Sequence, residues 1–128
     1  MYPGPMTDEN IRRIFTGAAD FNTRTLQCGE FILYAYAIDG LISSDSASEY
    51  IIQPIMEQLS GDTMQALYEK SLYGVVVNSV AKPCADLTQT AFFLVNGFCV
   101  VLFPGVGAIA FEVRIGVARS PGAPEVEN

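Results

Sequence analysis

The sequence predicts an α/β (α+β) domain built on a mixed sheet of about five strands with helices packed against it. Three observations carry that reading. Two runs, residues 31–38 (FILYAYAI) and 98–103 (FCVVLF), are apolar throughout and bounded by Gly-containing turns. Runs that short suit strands buried on both faces rather than helices. Residues 107–117 alternate with period two, and the segments between them carry helix-start signals and helical apolar spacing.

Residues 1–7 form a flexible Pro/Gly leader. Residues 8–16 suit a short helix, with Thr7 as N-cap and Gly17 past its end. Residues 20–27 alternate as a strand, and Cys28-Gly29 turns it into the run at 31–38, which stops at Asp39-Gly40. Ser46-Ala47-Ser48-Glu49 is a capping box opening a helix whose buried face is Ala47, Ile51, Ile55 and Leu59. Pro54 must kink or split that helix, because its ring removes one backbone bond. Asp62 with Gln65 opens a second helix, running to about Leu72.

Residues 74–81 read as a valine-rich strand. Pro83 stands at a helix start, and Leu87, Ala91, Leu94 and Val95 line one face of that helix until Gly97 stops it. In the last strand Ile109, Phe111, Val113 and Ile115 point inward, and Ala108, Ala110, Glu112 and Arg114 point to a wetter face. The strand–helix–strand unit over 74–103 predicts a right-handed parallel crossover, hence a mixed sheet. The element order is α-β-β-α-α-β-α-β-β. Residues 8–117 form a single domain, and 118–128 a linker-like tail.

Half of the 128 residues are hydrophobic and 16% are charged, against roughly 25% in a typical soluble domain. So little charge implies that part of the surface is covered, by another subunit or by the rest of a longer protein. The net charge of −7, with no basic run longer than two, excludes a counterion-releasing nucleic-acid stripe and disfavours direct adhesion to anionic lipid. Cys28, Cys84 and Cys99 are widely spaced and no histidine is present, so neither a zinc site nor a disulfide is expected.

Two patterns mislead. Residues 91–111 have the length and hydropathy of a membrane span, but Asn96-Gly97 and Pro104-Gly105 would break a helix there. The Gly105-Val106-Gly107-Ala108-Ile109-Ala110 sequence fits GxGxxA, yet it runs into a period-two strand, so a hairpin turn is the better reading. The ionisable candidates are Asp20, Arg24, Asp39, Asp86, Glu112, Arg114 and Arg119. Asp39 precedes Gly40 at the end of a central strand, where ligands of open sheets often sit, although an Asp there also serves to cap a turn. Arg24 and Arg114 suit either structural charge pairs or an interface. No nucleophile–base pair is evident. The expectation is a non-enzyme without cofactor or metal.

The wording of the chain resembles the N-terminal soluble subdomain of the GerA-type spore germination proteins, the A subunits of germinant receptors. The resemblance rests on Asp20-Phe21…Arg24, Ile38-Asp39-Gly40-Leu41, Ile51-Ile52-Gln53-Pro54-Ile55-Met56, the valines of 75–80, Asp86-Leu87, Gly97, and Arg119-Ser120 with Pro124-Glu125-Val126-Glu127. It spans residues 8–128 and departs from the family at Ala123, where an acidic residue is usual. It implies a non-catalytic part in receptor assembly or signal coupling during nutrient-triggered germination, at the cytoplasmic face of the spore inner membrane. The implied partners are other receptor subunits and the remainder of the A subunit, with homo-oligomerisation left open. Membrane contact would come only through sequence outside this chain, which is itself expected to be soluble. In the family the tail leads into a second soluble subdomain. The interaction candidates are Arg24, Asp39, Gly40, Arg114 and Arg119. The alternative is a small-molecule-binding sensor domain with a pocket at the strand ends near Asp39 and Pro104.

Overall fold

The computed structural model describes residues 2–42, 51–58, 63–75 and 79–113. Its elements follow the expected order: α1 (Asp8–Ile14), β1 (Phe21–Cys28), β2 (Phe31–Ile38), α2 (Gln53–Gln58), α3 (Met64–Lys70), β3 (Ser79–Cys84), α4 (Leu87–Val95), β4 (Cys99–Phe103) and β5 (Gly107–Val113). The fold is α+β. The five strands lie in the order β1-β2-β4-β5-β3, and every neighbouring pair is antiparallel.

The sheet is therefore not mixed. β3 and β4 run in the same direction, as a crossover through α4 requires, but β5 lies between them and pairs with both. The cause is local. Only Pro104-Gly105-Val106 separates β4 from β5, and so short a link places β5 beside β4, the position an adjacent parallel β3 would need. The Val106 amide donates to the Phe103 carbonyl at 3.0 Å, and Gly105 takes φ +84°, a conformation glycine adopts without a Cβ penalty. The GxGxxA pattern is this hairpin. The apolar stretch at 91–111 is divided among α4, β4 and β5, and among the described residues no helix is long and apolar enough to cross a membrane.

Helices cover both faces of the sheet. On one, Ile51, Ile55 and Leu67 pack on Leu26, Leu33, Val101, Phe103, Ile109 and Phe111. On the other, Ile11 of α1 and Leu87, Phe93 and Leu94 of α4 pack on Tyr36, Ile38, Val100, Leu102, Ala108 and Ala110. β4 is the middle strand and all five of its residues are buried, which explains why its sequence is apolar without alternation. Ile109 and Phe111 face the core as expected, while the side chains of Val113 and Ile115 lie outside what is described. The face of β5 expected to be wet is dry at Ala108 and Ala110, because α4 lies over it; of its described residues Glu112 alone is exposed.

Four boundaries differ from expectation. Thr63, not Asp62, caps α3, its hydroxyl accepting from the Ala66 amide at 3.0 Å. α3 continues into a π-helical turn, Ser71–Val75, where a strand was expected, and β3 starts only at Ser79. β3 includes Pro83, paired with Ile109, because β3 is an edge strand and an edge tolerates a residue with no N–H to donate. Asp86 then caps α4, accepting from the Gln89 amide at 2.8 Å, and Val95 points to solvent while Phe93 is buried in its place. Pro54 sits in the first turn of α2, just after a π-type turn at Ile51 and Ile52. The capping box at 46–49, Ala47 and Leu59 lie outside the described residues.

Residues 2–6 of the leader contact α1 and α4. The Tyr2 amide donates to Thr88 Oγ1 at 2.8 Å, and Asn10 Nδ2 donates to the Pro5 carbonyl at 2.9 Å. The Met6 side chain packs beside α4, with Thr90 Oγ1 donating to its sulfur at 3.2 Å.

Candidate functional site

The register of the sheet decides what its two ends can do. Tyr34 opposes Leu102, so Asp39 lies at one end of the β2–β4 pair and Pro104 at the other. Ile32, level with Pro104, lies seven residue steps from Asp39 along the strand, or about 23 Å at ~3.3 Å per step. A pocket shared by Asp39 and Pro104 is thereby ruled out. Each end has its own surface.

At the Asp39 end, the Asp39 amide donates to the Asp20 carbonyl at 2.9 Å, closing the open end of the β1–β2 hairpin. Gly40 has φ +91°, and the Leu41 amide donates back to the Ile38 carbonyl at 3.2 Å. Asp39 and Gly40 are both exposed. The turn leans on the end of α4, where a Cβ on Gly97 would stand 3.3 Å from the Leu41 carbonyl oxygen. Leu41 is 52% exposed, and Val95 and Phe92, one helical turn apart on the outer side of α4, are 54% and 59% exposed. Three exposed apolar side chains thus lie on the Asp39-Gly40 turn and on the end of α4 that the turn approaches.

Arg24 lies on the edge strand β1, opposite Ala35 and four residues from the Asp39–Asp20 level, so the two candidates are not brought together. Its side chain is exposed beside Asn22, Ile52 and Cys99 around a cavity of about 40 Å³. Burial pushes the Cys99 thiol up to about 12, an effect the Arg24 charge partly opposes. Arg114 and Arg119 lie outside the described residues. Asp86 is a helix cap. Among the described residues no cluster of three His, Cys, Asp or Glu is placed to hold a metal.

At the Pro104 end a groove of about 560 Å³ opens between the start of α1, the tip of the β1–β2 hairpin and the β4–β5 turn. Its origin is a mismatch of lengths. α1 has seven residues, about 10 Å of helix, whereas β2 has eight, about 26 Å of strand. α1 covers Tyr36 but leaves Ile32 and Tyr34 open, and Ile32 is 42% exposed. Apart from those two lengths nothing in the chain announces this groove, since its walls come from residues about a hundred positions apart.

The sequence pattern that defines the Bacillus/Clostridium GerA spore germination proteins matches residues 9–128. The chain belongs to the GerA family. Its role is therefore in spore germination, as part of a germinant receptor. No curated protein and no solved structure matches the chain. The stretches Ile38-Asp39-Gly40-Leu41 and Ile51–Met56, on which the resemblance rested, fall within the matched range. In this GerA domain they place the exposed turn beside α4 and the buried Ile51 and Ile55 of the opposite layer.

Proposed function

We propose that this GerA domain is a non-catalytic interaction module that takes part in receptor assembly and signal coupling. The observation that supports the reading is the exposure of Leu41, Phe92 and Val95 on the Asp39-Gly40 turn and the end of α4 that it approaches. Large apolar side chains clustered on a surface mark a site that a protein partner covers, and polar groups around its edge fix the register of such contacts. The low fraction of charged residues points the same way. The partners in this reading are the other receptor subunits and the remainder of the A subunit, at the cytoplasmic face of the spore inner membrane. Asp39, Gly40, Arg24, Arg114 and Arg119 act there through contacts rather than turnover.

The test is made in spores carrying the full receptor. Phe92→Asp, Asp39→Ala and Arg119→Ala should each lower receptor abundance or slow nutrient-triggered germination, while the isolated domain bearing the same change keeps its fold by circular dichroism. Normal germination with normal receptor levels in all three would remove the assembly role.

A further inference from the structure

The groove at the Pro104 end carries an inference independent of the assembly role. Its volume lies within the range of small-molecule sites, ~300–1,000 Å³. Its floor is apolar, formed by Ile32, Tyr34, Leu102 and Pro104. The charged residues that line it are Asp8, Glu9 and Glu30, all acidic. Two of the three are already answered from within α1. Arg12 Nε donates to Asp8 Oδ2 at 2.8 Å, and Arg13 approaches Glu9 at 3.4 Å. Tyr36 Oη donates to Asp8 Oδ1 at 2.6 Å and holds that carboxylate in place. Glu30, in the two-residue turn of the β1–β2 hairpin, has no cation against it among the described residues.

We propose that this groove binds a small organic cation with an apolar body, its ammonium held by Glu30 and its hydrocarbon laid on Ile32, Tyr34, Leu102 and Pro104. Charge complementarity selects the occupant. Without a basic residue in the lining, a carboxylate finds no partner there and meets the unanswered charge of Glu30, whereas an ammonium is attracted by that same carboxylate beside a surface that gains from being covered. The apolar floor sets the second requirement, because a bare inorganic or short hydrophilic cation would leave Ile32 and Tyr34 as wet as before.

The 128-residue chain is titrated with three probes of one shape: 2-phenylethylamine, 2-phenylethanol and 3-phenylpropionate. Amide and methyl NMR shifts report both affinity and place. The expected result is saturable binding of the amine with a Kd of order 1 mM or tighter, the scale for a ligand of that size. Shifts should centre on Glu30, Ile32, Tyr34 and Leu102. The alcohol should bind about fivefold more weakly, the worth of one exposed charge contact, and the carboxylate more weakly still. Glu30→Gln, at an exposed turn, should bring the amine down to the alcohol's affinity and leave the alcohol unchanged. Ile32→Ser should weaken both. Equal binding of all three probes, shifts centred elsewhere, no effect of Glu30→Gln, or no saturation by the amine on a chain with a folded spectrum would each overturn the proposal.

Discussion

Tyr36 Oη donates to Asp8 Oδ1 at 2.6 Å and so ties the first helix to the second strand across 28 residues of sequence. The phenol is otherwise buried, stacked on Phe21, which in turn stacks on Phe15 at the end of α1. The two partners differ in what they lose. Asp8 keeps Arg12 and some water, so Tyr36→Phe should cost about 1.5 kcal/mol, the low end for a hydrogen bond to a charged group. Asp8→Ala leaves a buried hydroxyl without its acceptor and removes the Arg12 pair, so it should cost more, about 2–3 kcal/mol. Urea denaturation of both variants and of the double variant measures this. A coupling near zero would show that the bond contributes nothing net.

Phe111 is fully buried on β5, between Ala81 and Cys99 of the flanking strands. Truncation to Ala opens a cavity under α2 and α3 that a sheet paired on both sides closes poorly. The expected loss is about 3–5 kcal/mol, a large part of the stability of a domain this size. Glu112→Ala, on the exposed neighbour, should change stability by no more than about 1 kcal/mol, the most an exposed charge contact is worth. Similar midpoints for the two variants in a denaturant titration would contradict the assignment of faces.

The three thiols divide between the layers. Cys28 and Cys99 lie under α2 and α3, and Cys84 lies under α4, so the sheet stands between Cys84 and the other two. Burial pushes Cys99 up to about 12 and Cys84 up to about 11 from 9.0, the Thr90 hydrogen bond partly opposing the shift at Cys84. It also pushes the Tyr36 phenol above its ordinary 10, with Asp8 adding to the effect. A raised acid stays neutral in the fold while the unfolded chain ionises. The stability it contributes is therefore full below pH ~9 and is lost as pH rises through 11 and 12. Denaturant midpoints should be flat from pH 7 to about 8.5 and fall above it, and Cys84→Ala with Cys99→Ala should reduce the fall. In native protein at pH 8 all three thiols should alkylate slowly, and in denaturant all three rapidly. A midpoint that rises between pH 9 and 10.5 would reverse the argument.

What could be read from the chain were the features with local causes. Thr7 caps α1 because its hydroxyl meets the Asn10 amide three residues on, and the apolar run at 98–103 can only be a strand covered on both faces. What could not be read depended on distant partners. Ala108 and Ala110 look like solvent-side residues in an alternating strand, and only the position of α4 makes them core. Pro83 looks like a helix opener and is a strand residue because β3 has no neighbouring strand on its outer side among the described residues. Asp39 and Pro104 both stand at strand ends, but whether at the same end depends on whether β2 and β4 run parallel or antiparallel. Ile32 looks as buried as Leu33; only the shortness of α1 leaves it open.

Gly97 and Gly40 offer a matched pair for testing the Asp39 end. Both hold positive φ, +86° and +91°, where an L side chain costs about 1–2 kcal/mol. Their surroundings differ. A Cβ on Gly40 would have no atom within 4 Å, whereas one on Gly97 would stand 3.3 Å from the Leu41 carbonyl oxygen and 3.7 Å from its Cβ. Gly40→Ala should therefore show the conformational cost alone. Gly97→Ala should show that cost plus the work of pushing the Leu41 turn away from α4, for about 2–3 kcal/mol in all. NMR shift changes from Gly97→Ala should reach Leu41 and Gly40 across the contact, although more than fifty residues intervene in sequence. Equal losses for the two variants, with no change at Leu41 in Gly97→Ala, would mean that the turn does not rest on α4 and that the three exposed apolar side chains do not share one surface.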